Sequence, residues 1–286
     1  MNKLACLALI APFALAAPAF AQSGPPPGVA GPAGAGGPPA RPEGWSVTVG
    51  VAPILSPAWQ GSDEMSLSVF PDIRLDNGDG LTASVPEGIV WSALDADGWR
   101  AGPVVRYRFG RDEDDGGSPF LITGGSDALL GLGDIDGSIE AGGFVEKRFG
   151  ARGEWEVGAR VLRGFGGHEG VVADLSLDRR FRSGRTMAAF GPRLTLASKG
   201  YMQPYFGIDA AQSANSGLAE YAAGGGVLSW GAGGSVVHPF DRNTAVTLFT
   251  SLERLGKEAT DSPLVRERGQ RTQFTLGLGF GYRFGL

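Results

Sequence analysis

The segment from Arg271 to Phe284, RTQFTLGLGFGYRF, alternates between two kinds of side chain. Its even-numbered positions carry threonine, leucines and aromatic residues, whereas its odd-numbered positions carry arginine, glutamine, threonine and glycine. Because successive side chains of a β-strand point to opposite faces, this segment predicts a strand with one apolar face and one polar face. Such a strand separates two different solvents.

The same period of two recurs from Trp45 onward. Pro86 interrupts one of the alternating segments, which we interpret as a single kinked strand because single-chain membrane barrels have an even number of strands. The predicted strands, about twelve in all, cover residues 45–55, 64–76, 80–94, 98–110, 138–149, 154–164, 169–182, 185–197, 203–212, 224–238, 242–255 and 271–284.

A soluble β-sandwich also alternates, but three features favour a membrane barrel. Many segments reach the roughly 9–11 residues that a tilted strand needs to cross a bilayer. Aromatic residues stand near the ends of the apolar faces, as in interfacial girdles. The polar faces carry charges of both signs, which suits a wet lumen. We therefore predict an all-β fold, a single antiparallel transmembrane β-barrel over residues 45–286.

Three connectors between the predicted strands are long: 111–137, 213–223 and 256–270. Counting strands back from a periplasmic C-terminus places 213–223 and 256–270 outside the cell. The same count places 111–137 on the periplasmic side, where connections are normally short turns. Two explanations stay open, a plug or docking element at 111–137 and an error in the strand count.

The N-terminal region predicts export. Lys3 precedes an apolar run, and Ala19-Phe20-Ala21 fits the small-x-small cleavage pattern, so residues 1–21 are interpreted as a signal peptide. Residues 22–44 form a Pro/Gly-rich stretch with few large apolar side chains, which predicts a disordered linker. Export together with a barrel predicts the outer membrane of a Gram-negative cell. The one cysteine, Cys6, lies in the signal peptide, so the mature chain is expected to have neither disulfides nor a thiol nucleophile.

Short motifs stand in a characteristic order along the predicted barrel. On these motifs the chain resembles the MltA-interacting protein (MipA/OmpV) family from about Trp45 onward. They are Gly102-Pro103, Tyr107-Arg108-Phe109-Gly110-Arg111, Leu130-Gly131-Leu132-Gly133-Asp134-Ile135, Glu140, Gly166-Gly167-His168-Glu169-Gly170, Tyr205-Phe206-Gly207-Ile208, Ser216-Gly217-Leu218, Arg254-Leu255, Asp261-Ser262-Pro263 and Tyr282-Arg283-Phe284.

The resemblance implies a non-enzymatic outer-membrane scaffold that interacts with lipid and links a periplasmic lytic transglycosylase or a murein synthase to the membrane. The chain departs from the usual barrel pattern at its end, where Gly285 and Leu286 follow the terminal aromatic residue. Candidate loop and family-motif positions are Arg111, Asp134, His168, Ser216, Gly217, Leu218, Asp261, Ser262 and Pro263.

Two other functions stay open beside the scaffold. The first is a narrow channel for small hydrophilic solutes or drugs, in which lumen arginines select anions. The second is a lipid hydrolase that uses His168 and Glu169 as an acid/base pair. Adjacent strand residues point to opposite faces and no nucleophile motif is present, so we predict no catalytic residue. The net charge of −5 carries no nucleic-acid signal.

No metal or cofactor is expected. Two acidic clusters, 76–79 and 112–115, offer oxygen ligands of the kind that calcium takes. The first lacks the later glutamate of an EF-hand loop and the second is a plain charge run, so both are interpreted as solvated turns. The glycine-rich stretches 224–226 and 231–234 lack the flanking helix and lysine of a nucleotide-binding loop, and are interpreted as points where the wall curves.

Overall fold

The computed structural model describes residues 44–85, 87–116 and 118–285. The predicted signal peptide, Cys6 and the linker up to residue 43 lie outside the described residues, so the domain boundary at 21 stays a prediction. The strands are β1 (Ser46–Pro57), β2 (Met65–Asp76), β3 (Leu81–Ser84), β4 (Gly88–Trp91), β5 (Leu94–Ala96), β6 (Trp99–Arg108), β7 (Leu121–Thr123), β8 (Ser138–Phe149), β9 (Trp155–Gly166), β10 (Val171–Ser183), β11 (Thr186–Ala197), β12 (Gly226–Pro239), β13 (Thr244–Leu255) and β14 (Thr272–Gly285).

Twelve of these strands close into an antiparallel β-barrel, which confirms the predicted fold class. The ring closes at β1, which pairs with β14 on one side and with β2 on the other. In this register Val51 lies opposite Phe280 of β14 and opposite Pro71 of β2. The two remaining short strands are not part of the ring. β5 pairs with β6, and β7 pairs with β2.

The predicted single strand over 80–94 is wrong, because this segment forms the β3–β4 hairpin followed by β5. In the hairpin Leu81 pairs with Trp91 and Ser84 pairs with Gly88. Gly88 has φ of 76°, a left-handed conformation that costs glycine little. Pro86 itself lies outside the described residues.

The predicted strand over 203–212 is also wrong, because this segment is helical. It contains the second half of α1 (Lys199–Phe206) and the start of α2 (Ala210–Ser216). The buried residues of α1 follow a helical spacing rather than a period of two, and they are Tyr201, Met202, Tyr205 and Phe206. A capping box formed by Asp209 and Gln212 starts α2.

These two errors cancel in the total strand count. The second error, the false strand at 203–212, reverses the side of 111–137 when strands are counted back from the C-terminus. One end of the barrel carries short turns, at 77–80, 97–98, 150–154, 184–185 and 240–243. The long connectors 109–137, 198–225 and 256–271 all leave the other end. Since membrane barrels have short periplasmic turns and long extracellular loops, the long connectors mark the outer end. Residues 111–137 therefore lie outside with the other two, so of the two explanations left open the error in the strand count applies.

The two faces of the wall differ as the alternation predicts. On β14 the side chains of Leu278 and Phe280 are 47% and 48% exposed on the outer surface, whereas Thr275 points inward and is buried. Leu175 of β10 also faces outward, so the large apolar side chains form a belt rather than a dry common interior. The charged residues of the strands point mainly into the lumen. None of the helices in the described part of the chain is long and apolar enough to cross a membrane.

Candidate functional site beneath the outer cap

The connectors at the outer end fold together into one structure, which we call the cap: residues 58–64, 109–137, 198–225 and 256–271. The cap has its own apolar core, in which each of the four connectors places fully buried side chains. Trp59, Leu129, Phe206 and Leu264 represent the four segments in chain order, and each is no more than 1% exposed. Burial of this many apolar side chains gives the cap a packed interior of its own.

Hydrogen bonds between side chains and backbone tie the four connectors to one another. The hydroxyl of Ser262 donates to the carbonyl of Phe206 at 2.7 Å. The indole N–H of Trp59 donates to the hydroxyl of Ser126 at 3.3 Å. Arg268 donates to the carbonyl of Ala128 at 2.9 Å and also to that of Ser216. The cap is therefore cross-linked between segments that are far apart in sequence.

A buried cluster of charges lies directly below the cap, centred on Glu140 of β8. Its carboxylate accepts a hydrogen bond from Nε of Arg106 at 2.5 Å and one from Nε of Arg108 at 2.7 Å. Glu140 is fully buried, and the two arginine side chains are 11% and 17% exposed. Charges taken out of water at this depth are stable only while they remain paired and hydrogen-bonded.

His168 completes the cluster from the short connector between β9 and β10. Its Nε2 lies 3.0 Å from the Glu140 carboxylate, and the backbone N–H of Gly170 donates to its Nδ1 at 3.3 Å. Because Nδ1 accepts a hydrogen bond, we assign the ring proton to Nε2, which then donates to Glu140. The alternative hydrolase hypothesis paired His168 with Glu169, whereas the structure places Glu140, distant in sequence, against the ring. Both ring nitrogens are engaged and the residue is 1% exposed.

Helix α1 forms the ceiling of this cluster. The rings of Tyr201 and Tyr205 stack with centroids 4.6 Å apart, and the guanidinium of Arg108 lies 5.2 Å from the centre of the Tyr201 ring. Burial raises the pKa of both tyrosine hydroxyls. The Tyr201 hydroxyl donates to the side chain of Gln60 at 3.1 Å. The helix thus joins the apolar core above to the charged lumen below.

Arg111 connects β6 to the cap. Its backbone pairs with Ile135, and its guanidinium donates to the carbonyl of Tyr205 at 2.9 Å. Burial lowers the pKa of this guanidinium to about 10, so the group stays charged at neutral pH. Asp134 contributes an opposing, favourable charge and also accepts a hydrogen bond from the backbone of Glu113. This arginine holds the second and third connectors of the cap together.

Further ion pairs continue down the lumen toward the periplasmic end. Glu156 accepts from Arg148 at 2.6 Å and from Arg180 at 2.7 Å, and Arg193 pairs with Asp178 at 2.7 Å. Apolar side chains fill other parts of the interior in two clusters, Ile54 with Phe70 and Phe249, and Val90 with Val104, Phe144 and Leu162. Paired charges and small apolar clusters thus both extend into the lumen below the cap.

A family model described as MltA-interacting protein MipA matches residues 49–284. The chain belongs to this family, the MipA family. Together with a closed barrel that carries an apolar belt, membership confirms the predicted family and the predicted location in the outer membrane. A comparison with curated proteins finds no match.

Solved outer-membrane barrels are similar to this MipA-family chain at low identity. An outer membrane channel from Pseudomonas putida F1 has 13% identity and a TM-score of 0.40, covering 85% of this chain and 96% of its own. An anion-selective porin from Comamonas acidovorans has 11% identity and a TM-score of 0.30, with coverage of 84% and 98%. The β domain of the Bordetella autotransporter BrkA has 11% identity and a TM-score of 0.39, with coverage of 84% and 100%.

All nine candidate positions of the MipA motifs lie at the outer end of the barrel, eight in the cap and His168 just below it. Arg111, Asp134 and His168 belong to the buried layer described above. Gly217 ends α2 in a left-handed conformation with φ of 76°, and Leu218 follows it into the apolar core. In the last connector of the cap, helix α3 (Lys257–Thr260) is followed by helix α4 (Pro263–Arg268). The remaining positions form contacts within the cap or begin α4: Ser216, Asp261, Ser262 and Pro263. That these positions have a functional role stays a prediction.

The central residue of the cluster, Glu140, appears in the MipA motifs but was not among the candidate positions. A signal for it existed in the alternation, because Glu140 falls on the polar face of its strand, as Arg106 and Arg108 do on theirs. The register between β6 and β8, which places Arg106 opposite Glu140, could not be predicted from one sequence. His168 was among the candidate positions, but its contact with Glu140 was not predicted.

The two acidic clusters of this MipA-family chain are hydrogen-bonded turns. Asp76 accepts from the N–H of Gly78 and Asn77 accepts from those of Asp79 and Leu81, which closes the β2–β3 turn. In the second cluster, the carboxylate of Glu113 accepts the N–H groups of two glycines at 131 and 133. Across 44–85, 87–116 and 118–285 there is no group of three or more residues that could hold a metal ion.

Replacing Ser262 by alanine tests the role of the cap hydrogen bonds. The change leaves the buried carbonyl of Phe206 without this donor, which should destabilise the cap by about 1–3 kcal/mol. Faster cleavage of the outer loops by protease added to intact cells measures this loss. Ser216→Ala is the matched control, because that hydroxyl is only partly buried and donates to the carbonyl of Gln212 within its own helix. Equal cleavage of the two variants would contradict the assigned role of Ser262.

Proposed function

We propose that this protein is a non-enzymatic outer-membrane anchor that binds a periplasmic murein enzyme, a lytic transglycosylase or a murein synthase. The observation that carries the proposal is the cap, whose apolar core and hydrogen bonds cover the outer mouth of the barrel. A barrel closed in this way is suited to hold a partner at the membrane rather than to pass solutes. The family description, an interacting protein of MltA, supports a partner of the murein class.

The periplasmic end is the side on which such a partner is reached. Its turns are short, and several of their side chains are exposed, among them Asp79, Arg152 and Arg242. The predicted linker 22–44 joins β1 at the same end and would extend the region that a partner can contact. A partner can bind to such short turns without a conformational change of the barrel.

The absence of a catalytic role is part of the proposal. His168 is the best candidate for a base, but both of its ring nitrogens are engaged within a buried cluster. A general base must reach the proton that it removes, and this ring is 1% exposed. We therefore assign the His168–Glu140 pair to the structure of the layer below the cap.

A narrow channel for small hydrophilic solutes is the second candidate function. It is favoured by the charged groups that follow the lumen from Glu140 to Glu156, because charged linings select ions in pores. In that case the cap would have to open during transport.

Two measurements distinguish these functions. A photo-crosslinking amino acid at Asp79, Arg152 or Arg242 should capture a lytic transglycosylase or a murein synthase in cells. The same group at Asp127 or Leu130, on the exposed surface of the cap, should capture neither enzyme. The purified barrel should carry no steady current across a planar bilayer. A steady current, together with no murein enzyme captured at the periplasmic turns, would contradict the anchor and favour the channel.

A further inference from the structure

The charges on the lipid-facing surface of the barrel all have the same sign. Within the strands of the described residues, every Asp and Glu lies on the lumen-facing parity. The charged side chains of the outward parity are cations, and they are Lys147, Arg163, Arg179 and Arg254. A charge facing lipid is costly except near the headgroups, so an outward surface with cations alone favours contact with anionic headgroups.

Lys147 and Arg179 lie close together near the periplasmic end of the wall. Lys147 of β8 is paired with Val157 of β9, and Arg179 of β10 is paired with Trp155 of the same strand. The two cations therefore lie on either side of β9, two strands apart and offset by two residues along β9. With strands about 4.8 Å apart, their Cα atoms are separated by roughly 12 Å, a gap that two long side chains can close around one headgroup.

Aromatic rings accompany both cations. The Lys147 ammonium lies 4.8 Å from the centre of the Trp99 ring. The Arg179 guanidinium lies 5.5 Å from the Trp155 ring and 5.3 Å from the Phe181 ring. Tryptophan rings at this level occupy the interface between hydrocarbon and headgroups, with apolar bodies toward the acyl chains. Trp155 stands between the two cations on the intervening strand.

Polar groups near these cations leave them able to bind an anion. Lys147 donates to the backbone carbonyl of Asp97 at 2.7 Å, which uses one of its three N–H bonds. Asp97 and Trp99 lie on the β6 side of Lys147, so its side chain must turn toward β9 to share a headgroup with Arg179. Glu154, in the turn before β9, is the acidic group whose charge interacts with that of Arg179. Its carboxylate also accepts a hydrogen bond from the backbone N–H of Arg152. None of the ion pairs found among the described residues involves Lys147 or Arg179.

We propose that Lys147 and Arg179 form a binding site for the phosphate of an anionic phospholipid in the periplasmic leaflet. Both side chains donate to phosphate oxygens, and the Trp155 ring packs against the glycerol and the first acyl carbons. A zwitterionic headgroup fits less well, because its ammonium group would meet the two cations. The site lies outside the barrel and does not depend on the proposed partner.

Native mass spectrometry of the purified barrel, saturated with equimolar phosphatidylglycerol and phosphatidylcholine, tests this site. The wild type should retain phosphatidylglycerol preferentially. The double variant Lys147→Gln, Arg179→Gln should lower the ratio of retained phosphatidylglycerol to phosphatidylcholine by roughly tenfold. The charge-keeping variant Lys147→Arg, Arg179→Lys should restore the ratio, which separates loss of the site from loss of folding.

The double variant Arg163→Gln, Arg254→Gln is the matched control. It removes the same charge from the outward face, but these arginines lie on β9 and β13 and cannot share one headgroup. Its ratio should stay close to that of the wild type. An unchanged ratio in the Lys147/Arg179 variant would show that these residues do not form the site. An equal fall in the control would show that only the overall charge of the outer face matters. Either result would overturn the proposal.

Discussion

Replacing Glu140 by glutamine should lower the free energy of unfolding by about 3–5 kcal/mol. Arg106, Arg108 and His168 all hydrogen-bond to this one carboxylate, and Glu140 is fully buried. Without its negative charge, two buried guanidinium groups lose their shared counter-charge in a region where water cannot replace it. Urea unfolding of the purified barrel in detergent micelles, followed by tryptophan fluorescence, measures the loss.

Glu156→Gln is the control for this prediction. Glu156 also pairs with two arginines, but its side chain is 20% exposed near the periplasmic mouth of the lumen. Solvent screens such a pair, so we expect a loss of about 1 kcal/mol or less. Similar losses in the two variants would show that the layer below the cap is wet, and would contradict the buried cluster described here.

Replacing Leu278 by arginine should destabilise the barrel by about 2–4 kcal/mol in a lipid bilayer. Leu278 lies at the middle of β14 and faces outward, with 47% of its side chain exposed. An arginine there would place its charge near the bilayer midplane, where only snorkelling or local thinning of the membrane relieves the cost. The fraction folded into lipid vesicles across a urea series measures the effect.

Thr272→Arg controls for the substitution itself. Thr272 lies on the same face of the same strand, at its outer end. At that depth the charge reaches the headgroups, and the expected cost falls to about 0–1 kcal/mol. A cost at position 272 as large as that at 278 would indicate a general defect of folding rather than burial in hydrocarbon.

The alternation of side chains was sufficient to predict most of the barrel. It is a local property of each strand. It placed Leu278 on the outer face and Thr275 on the inner face, because the outer face of the barrel meets lipid and the inner face meets the polar lumen. The 80–94 segment shows its limit. Alternation continues through this hairpin, and whether a proline marks a kink or a turn depends on neighbours such as β6, with which β4 pairs at Ile89 and Val90.

The cap could not be predicted from strand periodicity. In α1 the aromatic residues at 201 and 205 follow a helical spacing, which was present in the sequence but short. The side on which 111–137 lies depends on the parity of all the strands that follow it, so one misassigned strand reversed it. The link from His168 to Glu140 joins the β9–β10 connector to strand β8 and exists only once the register between β8 and β9 is set.

The most direct test of the closed barrel is a scan of spin labels along β13. The only cysteine of the sequence is Cys6, in the predicted signal peptide, so single cysteines at consecutive positions 246–252 can be labelled cleanly. The structure predicts that labels at even positions are accessible to oxygen dissolved in lipid, with a period of two, whereas labels at odd positions are shielded from it. Equal oxygen accessibility at both sets, or even positions shielded from both oxygen and polar quenchers, would contradict a wall that faces lipid.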